Sequence, residues 1–151
     1  MIIPTQQIHY DSIVVEEKET YRVSQTPLNI IENSCARNWS NLKGRIEASQ
    51  KLMNYIYKPP IIVSEHQMIF AFPTRGIDQH ACAWIFLDSI RSIHKVDKLS
   101  AVTLNNGQRV TLDISYHTLK TQRENVISLV NAYKQDILQA GQYGHKLPTM
   151  T

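Results

Sequence analysis

The sequence has 151 residues, of which 42% are hydrophobic and 19% charged, and its formal net charge is +3. This length fits one domain, and the composition is too apolar for a disordered chain. Two cysteines are too few for a disulfide scaffold or a tetrahedral zinc site. No apolar run approaches the roughly 20 residues of a membrane span, and residues 1–10 lack the pattern of a secretory signal. We therefore expect a cytoplasmic protein without a membrane partner.

The charge is unevenly distributed along the chain. Residues 1–34 hold five acidic and two basic side chains, whereas residues 35–151 hold 14 basic and 8 acidic ones. A basic body is compatible with an anionic partner such as nucleic acid. Solvated surface lysines and arginines explain such a charge at least as often.

The acidic first segment is predicted to form strands. A β-branched run covers residues 13–15, and residues 20–23 alternate between polar and apolar side chains, with a polar turn between them. Pro27 is interpreted as an interruption, after which the apolar stretch 28–31 resumes. We therefore expect N-terminal strands within residues 1–34.

Residues 40–57 are predicted to form a helix in the middle of the chain. Ser40 is a candidate N-cap, and Pro59 and Pro60 end the segment because neither can donate an amide hydrogen. Gly44 costs about 1 kcal/mol inside a helix, so either the helix starts later or Gly44 allows a close approach. The apolar residues that fall near one face are Leu42, Ile46, Met53 and Ile56.

The remaining pattern is strand-rich and ends in a long helix. Residues 61–63 and 67–72 predict a hairpin, a polar loop covers residues 73–79, and strands follow at 83–87 and near 90–93. Asn106-Gly107 predicts a tight hairpin turn between residues 102–104 and 109–112. A helix is expected over residues 118–140, with Gly141 at its C′ position and residues 142–151 as a flexible tail. Its apolar stripe consists of Leu119, Val126, Val130, Tyr133 and Ile137.

This order of elements predicts an α+β fold. We expect a twisted antiparallel sheet, arranged as a sandwich or partly closed barrel, with a middle helix and a long C-terminal helix. Residues 1–141 are expected to form a single domain.

No catalytic constellation is visible in the sequence. Glycine-rich phosphate loops and the Gly-x-Ser-x-Gly elbow are absent, which excludes the corresponding nucleotide-binding and hydrolase folds. Asp78, His80 and Cys82 have loosely ligand-like spacing, but a loop histidine beside a buried thiol is the commoner arrangement. We therefore expect neither an enzyme nor a metal or cofactor site.

Basic residues interleave with aromatic ones over residues 37–58. This segment holds five basic residues and one acidic residue, together with Trp39, Tyr55 and Tyr57. Its lysines and arginines can neutralise phosphates or enter a groove of DNA. Equally, the aromatic rings can pack inward while the lysine stems lie along the surface.

Several motifs with nearly constant spacing then reveal a resemblance. The chain resembles the ComK family of bacterial competence transcription factors over roughly residues 27–137. The residues that carry the resemblance are Pro27-Leu28-Asn29-Ile30-Ile31, Ser34-Cys35, Gly44-Arg45, Lys58-Pro59-Pro60-Ile61, Ile69-Phe70, Phe72-Pro73-Thr74, Cys82, Trp84, Asn106-Gly107, Ile114-Ser115-Tyr116 and Gln122.

The resemblance implies a transcriptional activator of DNA-uptake genes in Gram-positive bacteria. Family members bind A/T-rich boxes as dimers, largely through the minor groove, which implies a homodimer or higher oligomer on the nucleoid and contact with RNA polymerase. This mode suits a chain without an obvious helix-turn-helix, since narrow A/T-rich minor grooves attract Arg and Lys. Longer family members carry a C-terminal extension linked to Clp adaptor recognition, so adaptor binding is not expected of this chain.

The resemblance also suggests which residues contact DNA. Gly44, Arg45 and Lys58 match family positions, with Arg45 as the main contact and Gly44 allowing close approach. The alternative for Arg45 is a salt bridge to Glu47 or a remote acid. Other candidates lie in basic stretches that the family does not fix: Lys43, Arg75, Arg91 and Lys95. Cys35 and Cys82 match family cysteines and are expected to be buried.

A different class of function stays open. The chain is alternatively a protein-interaction module or truncated paralogue that regulates a longer relative by heterodimerisation without activating transcription. The apolar stripe from Leu119 to Ile137 would then form the interface, although such stripes usually belong to the core.

Overall fold

The computed structural model describes residues 1–5 and 11–143. A 3₁₀ turn at Leu87–Ser89 lies between the sixth and seventh strands in chain order. In chain order the strands and helices of these residues are β1 (Ile2–Pro4), β2 (Ser12–Val15), β3 (Thr20–Val23), α1 (Pro27–Arg37), α2 (Leu42–Met53), β4 (Ile61–Ser64), β5 (Ile69–Pro73), β6 (Trp84–Phe86), β7 (Ile90–Val96), β8 (Leu99–Leu104), β9 (Arg109–Leu112) and α3 (Tyr116–Tyr143).

The strands form two antiparallel sheets. Six of them are arranged in the order β3-β2-β1-β6-β5-β4, and the other three in the order β7-β8-β9. The first strand pairs with β6, where Ile2 lies opposite Trp84. The α+β class is confirmed, although two sheets are present and two helices, rather than one, precede β4.

The six-stranded sheet is covered on both faces. Phe70 and Phe72 of β5 point into a cluster that includes residues of β8, β9 and α3, while Ala71 between them belongs to a second cluster with α1 and α2. This alternation follows from the period of two along a strand. Burial on both faces explains why residues 61–63 and 69–72 read as continuous apolar runs.

Helix α1 corrects the prediction that residues 1–34 form only strands. The Oγ1 atom of Thr26 accepts a hydrogen bond from the Asn29 amide at 3.2 Å, and Pro27 occupies the first helical position. Proline is favoured there because its missing amide hydrogen would have no intrahelical partner. Ile31 and Cys35 then face the sheet and are fully buried. The strands predicted at residues 13–15 and 20–23 are confirmed as β2 and β3.

Helix α2 is shorter than predicted, and its N-cap is Asn41 rather than Ser40. The Gly44 amide donates to the Asn41 Oδ1 atom at 2.6 Å. A Cβ atom on Gly44 would lie 3.1 Å from that same oxygen, so glycine leaves room for the cap of its own helix. The helix ends at Met53, and Asn54 follows in the left-handed conformation. Ile56 lies beyond the helix and is exposed, contrary to its place in the predicted apolar face.

The two predicted hairpins are confirmed. Strands β4 and β5 pair from Ile61 opposite Ala71, and strands β8 and β9 pair from Thr103 opposite Arg109. Gly107 has a φ angle of 89° in the turn between β8 and β9, which only glycine adopts without strain.

Helix α3 confirms the long C-terminal helix and corrects the position of its end. The helix continues through Gly141 to Tyr143, so Gly141 is not at a C′ position and the predicted tail starts too early. The rest of that tail, residues 144–151, lies outside the described residues. Leu119 and Val126 are fully buried in the core, and Val130 and Tyr133 pack against it. This part of the stripe is therefore not available as a heterodimer interface. Ile137 is exposed.

None of the helices in the described part of the chain combines the length and the hydropathy needed to cross a membrane.

Candidate nucleic-acid interface

The structure places the seven predicted site residues in three regions. Helix α2 carries Lys43, Gly44 and Arg45 in its first turns. A cleft at the start of α3 is lined by Lys58 and Arg75. The third region is strand β7, which carries Arg91 and Lys95.

Arg45 forms the salt bridge to a remote acid that was the alternative to DNA contact. Its Nη1 atom lies 2.6 Å from the Glu65 Oε1 atom, and its Nε atom donates to the Ser40 Oγ atom at 3.0 Å. The Arg45 side chain is only 16% exposed, whereas that of Glu65 is 53% exposed. The guanidinium thus ties α2 to the turn between β4 and β5.

Replacing Arg45 with glutamine is expected to lower the free energy of unfolding by about 1 kcal/mol, because the ion pair and the bond to Ser40 are both lost. Urea unfolding of R45Q, E65Q and the double variant checks this. We expect the summed stability losses of the two single variants to exceed the loss in the double variant by a coupling of about 0.5 kcal/mol. Additive effects would show that the ion pair contributes nothing to stability.

Lys58 and Arg75 both line this cleft, although 16 residues lie between them in the sequence. The cleft has a volume of about 500 Å³ and is also lined by Tyr57, Ser115 and Thr118. Burial raises the pKa of the Cys82 thiol, and the positive charges of Arg75 and Lys58 only partly oppose this effect.

Two sets of hydrogen bonds lie in the walls of this cleft. The Arg75 Nη2 atom donates to the Asp113 carboxylate at 2.8 Å and to the Asp113 carbonyl. The Gln122 Nε2 atom of α3 donates to the carbonyl oxygens of Lys58 and Pro73, each at 2.9 Å. Lys58 is held in the left-handed region with a φ angle of 46°, which lysine rarely adopts.

The β7 residues lie in the three-stranded sheet. Arg91 is exposed, and its guanidinium donates to the carbonyl oxygen of Asn105. Lys95 is exposed near the other end of the same strand, opposite Ser100 of β8. The cleft contains neither residue among its lining side chains.

Comparison with known proteins assigns the chain to a family. The family model described as ComK protein matches residues 1–137. The chain belongs to the ComK family. The competence transcription factor of Bacillus subtilis (strain 168) is 30% identical to it over 112 residues, which cover 74% of this chain and 58% of that relative. The chain therefore aligns with less than two thirds of that protein. No solved structure matches the chain.

In this ComK family member, two aromatic side chains of the basic segment lie on the surface, a point that the sequence left open. Trp39 is 97% exposed and Tyr57 is 82% exposed, so neither ring packs inward. Tyr55 is partly buried, and its hydroxyl donates to the Asn125 carbonyl at 3.0 Å. A basic, aromatic segment was the sequence signal, but only the structure separates the exposed rings from the packed one.

The structure also contains a pair of successive helices that was not predicted from the sequence. Residues 38–41 join α1 to α2, which is the connection length of a helix-turn-helix. The pair was hidden because residues 27–34 were assigned to the predicted N-terminal strands. One face of α2 is exposed and polar, and it consists of Lys43, Glu47, Gln50 and Lys51.

The two cysteines of this family member are free and buried. Burial raises the pKa of both thiols, and for Cys35 the nearby Arg45 charge only partly opposes this effect. A protonated, buried thiol is a poor nucleophile. Among the residues that the structure describes, no group of three or more His, Cys, Asp or Glu side chains could hold a metal ion.

Proposed function

We propose that this ComK family member is a sequence-specific activator of competence genes that binds A/T-rich DNA as a dimer, mainly through the minor groove. The observation that carries this proposal is the relationship to a protein named competence transcription factor, together with the family match over residues 1–137. Its candidate contacts are the residues predicted from the sequence, of which Arg45 is already held in an ion pair with Glu65.

The distribution of basic side chains supports the proposal. Lys43, Arg91 and Lys95 are exposed, and Lys58 and Arg75 line an open cleft. Such side chains neutralise backbone phosphates, and the narrow minor groove of A/T-rich DNA concentrates negative potential that attracts them. Ile56 and Tyr57 are exposed beside Lys58, and apolar side chains next to cations are a frequent feature of minor-groove binders.

The major groove is a second candidate for the groove that the protein contacts, because α1 and α2 are joined by a connection of helix-turn-helix length. The exposed face of α2 would then enter the major groove, as the second helix of that motif does. This candidate keeps DNA as the partner and changes only the element that reads it.

Fluorescence anisotropy with labelled duplexes tests the proposed function. We expect the full chain to bind an A/T-box duplex more tightly than a G/C-rich duplex of equal length, with an affinity that falls steeply as salt is raised. Equal affinity for both duplexes would contradict sequence specificity, and no binding would contradict the function itself.

Competition by the minor-groove ligand distamycin but not by the major-groove ligand methyl green would favour the minor groove, and the opposite pattern would favour α2. The mass of the protein–DNA complex gives the number of bound copies.

A further inference from the structure

The cleft between the loop after α2, the loop after β5 and the start of α3 has features that its packing alone does not require. The cleft has a volume of about 500 Å³ and is lined by two cations from different segments of the sequence, Lys58 and Arg75. Tyr57, which is almost fully exposed, stands at its side. Ser115 and Thr118 also line this cleft, and the Ser115 hydroxyl donates to the Thr118 hydroxyl at 3.0 Å.

The backbone at Lys58 is held in place before any ligand arrives. Its φ angle of 46° lies in a region that costs a lysine free energy, and strain of this kind collects at binding sites. Gln122 fixes this backbone by donating to the Lys58 carbonyl, and with the same nitrogen it fixes Pro73, two residues before Arg75. One buried amide thus positions both cationic segments relative to each other.

The Asp113 carboxylate shows that the Arg75 guanidinium can bind an anionic oxygen. The Arg75 guanidinium binds the Asp113 carboxylate at 2.8 Å, and Asp113 is largely exposed. An exposed ion pair of this kind contributes little to stability and exchanges readily. A phosphodiester oxygen offers the same guanidinium an acceptor of equal charge.

We propose that this cleft binds a single phosphodiester group of the DNA backbone, gripped by Lys58 and Arg75, and that Asp113 competes with it for the Arg75 guanidinium. The proposal rests on the proposed function and names one contact point within it. The cleft therefore fixes the position of the protein on the duplex rather than reading bases, because phosphate contacts carry no sequence information directly.

The test measures anisotropy of the full chain on one A/T-box duplex at several salt concentrations. R75Q is expected to weaken binding about tenfold and to reduce the slope of log affinity against log salt by about one. K58G removes the other charge and relieves the backbone strain, so it should weaken binding similarly without lowering the melting temperature. D113N removes the competing carboxylate and should tighten binding severalfold.

The matched control is K134Q. Lys134 is exposed on α3, about 27 Å along the helix axis from its start, and its replacement removes the same charge. We expect K134Q to change the affinity by less than about twofold. Binding losses in R75Q and K58G no larger than that of K134Q would overturn the cleft proposal while leaving DNA binding intact. Losses in both R75Q and D113N would show that their ion pair is structural and would also overturn it.

Two further outcomes distinguish free phosphate from the phosphate of DNA, and failure of the cleft proposal from failure of the proposed function. Inorganic phosphate, added in place of chloride at equal ionic strength, is expected to displace the duplex no better than chloride does. Selective displacement that disappears in R75Q would assign the cleft to free phosphate and overturn its role on DNA. A wild-type chain that binds no duplex would overturn the proposed function and the cleft proposal together.

Discussion

Replacing Gln122 with leucine is expected to lower the free energy of unfolding by about 3 kcal/mol. Gln122 is only 4% exposed, and its Nε2 atom donates to the carbonyl oxygens of Lys58 and Pro73. Leucine fills a similar volume but leaves both acceptors without this donor. The bond to Pro73 is buried and the bond to Lys58 is partly buried. A buried acceptor that loses its partner costs about 1–3 kcal/mol, so the two losses together outweigh the gain from an apolar side chain.

Urea unfolding followed by circular dichroism checks this prediction. The matched control is Gln135→Leu, which makes the same replacement at an exposed position of α3 and should change stability by less than about 0.5 kcal/mol. Gln122→Glu keeps the shape but sets a carboxylate against two carbonyl oxygens, so it should destabilise as well. Equal stability of the leucine variants at positions 122 and 135 would show that the two hydrogen bonds contribute nothing net.

The effect of Gln122 extends from stability to the candidate site. Its amide joins the segment before β4 to the end of β5, and these segments carry Lys58 and Arg75. Loss of the amide should therefore loosen both cations at once, even in molecules that remain folded. Under conditions where the leucine variant is folded, its affinity for DNA should fall further than that of the leucine variant at position 135.

Local signals in the sequence predicted much of the fold. The Asn106-Gly107 turn, the hairpin formed by β4 and β5, and the buried part of the α3 stripe depend on residues close in sequence, and the structure contains all three. Helix α1 was missed because Pro27 has two opposite meanings. A proline ends a preceding element, but it also starts a helix when a capping residue such as Thr26 precedes it.

Long-range arrangements could not be predicted from the sequence. Strand β1 lies between β2 and β6, and nothing local to Ile2 indicates that Trp84 will be opposite it. Burial of both faces of the sheet removed the polar alternation that would have marked an inner and an outer face. The sequence consequently predicted strands without their order.

The candidate site shows the same division. Family motifs indicated Arg45 and Lys58 by residue type and spacing, but their surroundings depend on distant partners. Arg45 meets an acid 20 positions away, and Arg75 meets Asp113 38 positions away. The exposure of Trp39, in the turn between α1 and α2, is equally a property of the folded surface, because a large aromatic side chain usually predicts packing.

The stability of a chain that begins at Met1 is expected to rise by about 2 kcal/mol between pH 6 and pH 8. The Met1 amine is buried against the core and donates to the Val15 carbonyl at 3.0 Å. Burial lowers its pKa from 8.0 to about 6, and the negative charge of Glu16 only partly opposes this shift. Between these two pKa values the unfolded chain holds a proton that the folded chain has released, so raising the pH favours the folded state.

The midpoint of the amine itself is the decisive measurement, because it reports on this group alone. In a chain labelled with ¹³C at methionine, the α-carbon shift of Met1 should titrate near pH 6 in the folded protein and near pH 8 in urea. E16Q should lower the folded midpoint further, because it removes the charge that raises this pKa. E17Q removes an equal charge from the neighbouring exposed position and should move the midpoint less. A folded midpoint near pH 8 would show that the amine reaches solvent, and the predicted rise in stability would then be absent.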